Sequence, residues 1–205
     1  MIVNVILELD KIFNELNKAF FKDELKKPVI LIQSKAKKNT LGTCSVNPIW
    51  ENKKNEEDRN YEITLSGEYL NRPIEEIIAT LLHEMVHLYC SVNDIKDTSN
   101  NFVYHNKNFK KEAELRGLII TKAEFNKSIG WSVSELNEPT KELIKKFNIN
   151  LPAFDYYRKS YVKPETLKQI RYKYACPKCD LKISHHKEVY LKCGSCDVDL
   201  ELNED

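Results

Sequence analysis

Nothing in this sequence approaches the ~20 consecutive apolar residues that a helix needs to cross a bilayer. The opening stretch, MIVNVILELDKIF, has no basic lead-in, and Glu8 and Asp10 interrupt its short apolar run, so it does not read as a secretory signal. Both absences predict a cytoplasmic location and no membrane partner. Net charge is scarce as well: 32 Lys and Arg stand against 31 Asp and Glu, leaving +1, which does not by itself suggest a nucleic-acid partner. There is no internal repeat and no low-complexity tract. Histidine is sparse, with five in 205 residues.

What is present suits a globular protein with a solvated surface: 41% hydrophobic and 31% charged residues, in a length that fits one medium domain and a small appendage. The expected division is a main domain over 1–150, a basic linker over 151–171 and a cysteine-bearing module over 172–205. Of the six cysteines, Cys176, Cys179, Cys193 and Cys196 form two Cys-x-x-Cys pairs. In a reducing compartment that pattern means metal ligation rather than disulfides. Cys44 and Cys90 read as small buried hydrophobes.

Apolar residues at 5, 6, 9, 12, 13, 16, 19 and 20 make a helical stripe over about 5–21. VILIQ, LGTCSV and YEITLS read as strands, and NPIWENKKNEEDRN, between the last two, as a polar loop. A central helix is expected over about 72–90, capped by Asn71, with Pro73, Glu75 and Glu76 in its first turn. SVNDIKDTSNN reads as a loop, NKNFKKEAELRG as a helix stopped at Gly117, LIIT as a short strand and EPTKELIKKFNI as a helix. Short β-like runs surround the cysteine pairs.

The central helix contains ATLLHEMVHLYC. His83 and His87 lie one turn apart on one face and can point at one ion. Glu84 is ~100° further round, able to reach a water beside that ion without ligating it. Glu76, Thr80, His83, Glu84 and His87 form one narrow polar stripe, while Ile77, Ile78, Leu81, Leu82, Met85, Val86 and Leu88 make the rest apolar. Such a helix is mostly buried, and burying two imidazoles and a carboxylate without partners is costly. A metal ion and its water would satisfy all three.

Catalytic zinc takes three protein ligands and keeps an open position. His105, 18 residues after His87, is the preferred third ligand. Glu112 or Glu114 in the following helix is the alternative. The compact spacing that puts a third histidine six residues after the second fails, because Asn93 stands there. Tyr104, beside His105, is a candidate oxyanion stabiliser, with simple packing the competing reading.

The residues YEITLS, ATLLHEMVHLY and HNKNF, with the leading helix and its AFF and the LGTCSV segment, make the chain similar to the SprT-like zinc metalloproteases over about residues 5–120. The family pattern has a glycine after the third histidine, where this chain has Asn106. The resemblance implies an α+β, zincin-like protease domain in which His83, His87 and His105 bind a catalytic zinc and Glu84 is the catalytic acid/base. It also implies protein substrates that are bound or crosslinked to DNA.

CPKCDLKISHHKEVYLKCGSC spaces its two Cys-x-x-Cys pairs by thirteen residues. Four thiolates close a tetrahedral shell and leave no place for substrate, so this is a structural zinc in a small β-rich ribbon of the kind many family members carry. About 30 residues cannot bury enough core to fold without such a staple. His185 and His186, at the expected hairpin tip, read as non-ligating. Residues 141–192 hold 13 Lys and Arg against 5 Asp and Glu. Tyr156, Tyr157, Tyr161, Tyr172 and Tyr174 are interleaved with Arg158, Lys159, Arg171 and Lys173, and Lys178 and Lys192 follow. Basic groups attract phosphates and aromatic rings stack unpaired bases, so single-stranded DNA is the expected second partner beside a protein substrate. The rival functions are a nucleic-acid-binding accessory protein with structural zinc sites, which has no use for Glu84, and a zinc peptidase with no DNA role.

Overall fold

The apolar stripe that begins at Val5 folds as one helix, α1 (Ile2–Phe21), in a computed structural model that describes residues 2–34, 40–159 and 171–203. Val5, Leu9, Ile12, Phe13 and Leu16 are fully buried along it, the i, i+3/i+4 pattern of a core-facing helix. The buried Asn17 turns the chain after the helix: its amide donates to the Leu25 carbonyl at 2.9 Å and accepts from the Leu25 N–H at 3.3 Å.

Three strands follow α1 in one sheet. β1 (Val29–Gln33) runs parallel to β5 (Glu62–Ser66), and β2 (Gly42–Cys44) runs antiparallel to it, giving the order β1-β5-β2. β5 is buried from Ile63 to Ser66, because it is the central strand and is covered on both faces. Between β2 and β5 the sequence suggested a polar loop. Instead β3 (Trp50–Asn52) and β4 (Asn55–Asn60) form an antiparallel hairpin. Its side chains are mostly exposed, so no hydrophobic alternation marked it, and backbone pairing carries it. The Trp50 indole donates to the Glu62 carboxylate at 3.0 Å.

The central helix, α2 (Ile74–Val92), starts after Pro73 with no side-chain cap. Asn71, the expected cap, lies in the turn two residues too early. The helix runs two residues past the expected end and stops at Asn93, whose side-chain amide donates to the Tyr89 carbonyl at 2.8 Å. The expected loop after it contains β6 (Thr98–Ser99), which pairs with β7 (Tyr104–His105) and brings the chain back to α2. α3 (Lys107–Glu114) begins at Asn106, whose side chain accepts from the N–H groups of Asn108 and Phe109. This is a standard N-cap, and its φ of −92° needs no glycine at the position after the third histidine. β8 (Leu118–Thr121) and β9 (Val133–Leu136) pair antiparallel, and α4 (Glu138–Ile144) is capped by Asn137.

The described residues thus hold four α-helices and several small sheets, a mixed α+β architecture. None of these helices is long and apolar enough to cross a membrane. The chain divides into two compact units, Met1–Ser160 and Tyr161–Asp205. Residues 151–159, the first part of the expected linker, pack on the first unit. Ala153 and Phe154 enter its core, and the Arg158 N–H donates to the Gly67 carbonyl at 2.8 Å.

In the second unit β10 (Tyr172–Ala175) lies between β11 (Lys182–His185) and β14 (Glu201–Asn203), while β12 (Lys192–Cys193) pairs with β13 (Val198–Asp199). Among the described residues its buried core consists of Tyr174, Cys176, Cys193 and Leu200. Four buried side chains fall far short of a self-sufficient core.

Candidate metal centre

Helical periodicity places His83 and His87 one turn apart on α2, and the β6–β7 hairpin returns His105 to the same point. The three Nε2 atoms form a near-equilateral triangle, 3.1 Å on each side. Tetrahedral ligation with Zn–N distances of about 2.0–2.1 Å sets ligand nitrogens about 3.3 Å apart, close to what is found.

Each outward-facing Nδ1 has its own partner: Ser134 Oγ at 2.6 Å for His83, Asp97 Oδ2 at 2.5 Å for His87 and the Ile129 carbonyl at 3.0 Å for His105. A carboxylate and a carbonyl only accept, so Nδ1 of His87 and His105 carries the proton and Nε2 presents a lone pair. Lone pairs that converge at 3.1 Å repel unless a cation lies between them, so the donor set fits a metal ion. Burial pushes the His83 pKa well below its usual value, reinforced by His87 and His105. Burial and His87 lower His105 to about 4 against a partial offset from the Ile129 carbonyl. Both rings therefore stay neutral, as metal ligands must.

Phe109, fully buried one turn into α3, packs against all three rings, with centroids 4.5, 4.6 and 4.8 Å away. The alternative third ligands are engaged elsewhere: Glu112 pairs with Arg116 at 2.7 Å and Glu114 pairs with Lys110. Tyr104 places its ring beside Gly130, in keeping with a packing role.

Glu84 is buried and faces β2. A Cβ added at Gly42 would stand 2.8 Å from Glu84 Oε1 and 3.0 Å from its Cγ, so glycine is what lets this strand approach the carboxylate. Cys44, in the same strand, is held in the thiol form by burial first and then by the charges of Glu84 and Asp97. Burial likewise pushes Cys90 up to about 12. Both behave as apolar packing groups.

The four paired cysteines also converge, with all ligand atoms within 4.8 Å of one another and Cys179 and Cys193 sulfurs 3.8 Å apart. Burial opposes ionisation of Cys176, but the Lys178 N–H and the neighbouring thiols bring it down to about 7. The Cys179 thiol foremost, with its neighbours, pushes Cys196 up to about 12. Four converging sulfurs fit one cation, whose charge would favour their thiolate form. His185 and His186 stack on each other at 4.3 Å, apart from the thiol group.

The basic residues expected to contact nucleic acid are all exposed, but they are not equally available. Arg158, with Lys159 part of the first unit, pairs with Glu68 at 3.3 Å. Lys192, which like Arg171, Lys173 and Lys178 belongs to the second unit, pairs with Asp197 at 2.6 Å. Tyr156 and Tyr157 are exposed, whereas Tyr174 is buried and its hydroxyl accepts from the Val189 N–H, which removes it as a stacking platform. Tyr161 lies outside the described residues.

A three-histidine centre beside a buried glutamate, in a mixed α+β unit, defines a candidate metallohydrolase class. The SprT-like family model matches residues 9–126, more than half of the chain, and the protein belongs to this SprT-like family, which is of metallopeptidase type. The match covers all three histidines, Glu84, Gly42, Asp97 and Phe109, and ends before Ile129, Ser134 and the cysteine module. Neither a curated protein nor a solved structure gives a match.

Sequence reasoning missed Asp97, Phe109, Ile129 and Ser134. Phe109 carried a signal as the apolar residue in the first turn of α3, four residues after His105. The other three lie in segments whose composition says only "loop" or "strand".

Proposed function

We propose that this protein is a zinc metalloendopeptidase with a zincin-like catalytic unit and a structural zinc ribbon, and that it cleaves proteins bound or crosslinked to DNA. The observation that carries the peptidase reading is the convergence of three imidazole nitrogens next to a buried carboxylate. His83, His87 and His105 would hold the catalytic zinc, and Cys176, Cys179, Cys193 and Cys196 the structural one. Zinc, when bound, polarises the scissile carbonyl and brings the pKa of the attacking water to about 7. Glu84 takes the proton from that water as oxygen bonds to the carbonyl carbon. It then delivers the proton to the amide nitrogen as the C–N bond breaks. β2, an edge of its sheet among the described residues, passes Glu84 at Gly42 and offers backbone groups along which an extended peptide can lie.

The DNA arm of the proposal rests on the family and on the exposed basic and tyrosine residues around the linker. A zinc peptidase with no DNA role is the second reading. The ion pairs of Arg158 and Lys192 and the burial of Tyr174 favour it.

The test is cleavage of a DNA-binding protein, with and without single-stranded DNA, by wild type and Glu84→Gln. The variant is expected to keep its zinc and fold and to lose about 10²–10⁴-fold in rate, the usual contribution of acid/base catalysis. Undiminished cleavage by Glu84→Gln removes the mechanism. Wild-type cleavage that is indifferent to DNA removes the DNA arm alone.

A further inference from the structure

Two of the three Nδ1 partners come from one short segment, IGWSVS at 129–134, beyond the stretch that matches the family. Its first part clamps His105 from both sides. The Ile129 carbonyl accepts from the His105 ring, the His105 carbonyl accepts from the Trp131 N–H at 3.1 Å, and Gly130 bridges to His105 in parallel. Gly130 has φ +68°, and a Cβ there would stand 2.3 Å from the His105 carbonyl oxygen and 2.9 Å from the Tyr104 ring. Only glycine fits both the conformation and the approach. The last residue, Ser134, lies in β9 opposite Ile120 with its hydroxyl 2.6 Å from His83 Nδ1.

We infer that residues 129–134 are part of the metal centre, with Ser134 the positioning residue that fixes the aim of His83, and Gly130 the residue that lets the Ile129 carbonyl fix both the aim and the tautomer of His105. The inference rests on reading the three histidines as zinc ligands. An imidazole can rotate about χ2 and can carry its proton on either nitrogen. A hydrogen bond at Nδ1 removes the rotation, and an obligate acceptor such as the Ile129 carbonyl also removes the second freedom, leaving the Nε2 lone pair aimed inward. Without the Ser134 hydroxyl, the Nδ1–H of a metal-bound His83 loses its partner at a part-buried position, and the ring loses its restraint. Asp97 serves His87 in the same way but brings a negative charge. The hydroxyl and the carbonyl orient their rings without adding charge.

The experiment measures metal affinity of the full chain for wild type, Ser134→Ala, Ser134→Thr and His83→Ala. Zinc is titrated in competition with a chelator. Cobalt is titrated in parallel, so that sulfur-to-cobalt charge-transfer absorption reports the cysteine site separately. His83→Ala is the control that must lose the non-thiolate ion. Ser134→Ala should bind that ion about 10–100-fold more weakly, with the thiolate site unchanged and the metal-free unfolding midpoint near wild type. Ser134→Thr, which keeps the hydroxyl, should restore affinity. Wild-type affinity in Ser134→Ala, or a Ser134→Thr as weak as Ser134→Ala, overturns the inference while the ligand assignment stands. Retention of both ions by His83→Ala overturns the ligand assignment itself.

Discussion

Phe109→Ala removes the ring on which all three histidines rest. The side chain is fully buried and stands 4.5–4.8 Å from the imidazole centroids, so its loss opens a cavity directly under the metal point. A buried Phe→Ala change costs about 3–5 kcal/mol, a large share of the 5–15 kcal/mol typical of a folded domain. Zinc adds stability in proportion to its affinity for the folded site, about 2.7 kcal/mol at a free concentration a hundred times Kd. Rings that no longer rest on Phe109 lose their aim, so this increment should shrink in the variant. Both tryptophans, Trp50 and Trp131, belong to the first unit, so urea unfolding followed by tryptophan fluorescence reports this unit. Measured in chelator, the variant's midpoint should fall sharply. Measured in zinc, it should recover less than wild type does. Phe109→Leu, which keeps most of the volume, should sit between the two. An unshifted midpoint in chelator, or wild-type zinc affinity in Phe109→Ala, would refute the reasoning, leaving the Nδ1 hydrogen bonds as the sole device that aims the rings.

Two further outcomes are expected. Gly42→Ala sets a methyl 2.8 Å from Glu84 Oε1 and must displace the carboxylate. Turnover should drop on the order of 10–100-fold, the scale of small misplacements in a reacting site, with zinc content unchanged, and unaltered kcat would show that β2 does not constrain Glu84. Cys176→Ser should unfold the second unit and take zinc from about two ions per chain to about one, while binding of single-stranded DNA weakens; a variant that binds DNA as tightly as wild type at moderate salt shows that the ribbon is not the DNA reader.

The sequence by itself determined the parts whose physics is local. The 3.6-residue period of the apolar positions in α1 and α2 gave the helices, and the same period put His83 and His87 on one face with Glu84 beside them. The Cys-x-x-Cys spacing likewise marked the thiol cluster, because two tight turns suffice to aim each pair. His105 was legible only as a candidate against Glu112 and Glu114, since its approach depends on the β6–β7 pairing, a contact of two residues a side that no pattern announces. The β3–β4 hairpin was hidden because a strand exposed on both faces has no alternation to read. Whatever depends on which segment meets which was decided by the tertiary structure alone. Glu112 was paired with Arg116, Tyr174 was buried in the core of the second unit, and Gly42 was pressed against Glu84. The orienting groups Asp97, Ile129 and Ser134 came from 10, 24 and 51 residues away from the histidines they serve. A hydroxyl, a carboxylate and a backbone carbonyl act on an imidazole through a single hydrogen bond, and a hydrogen bond between distant segments leaves no periodicity in the chain.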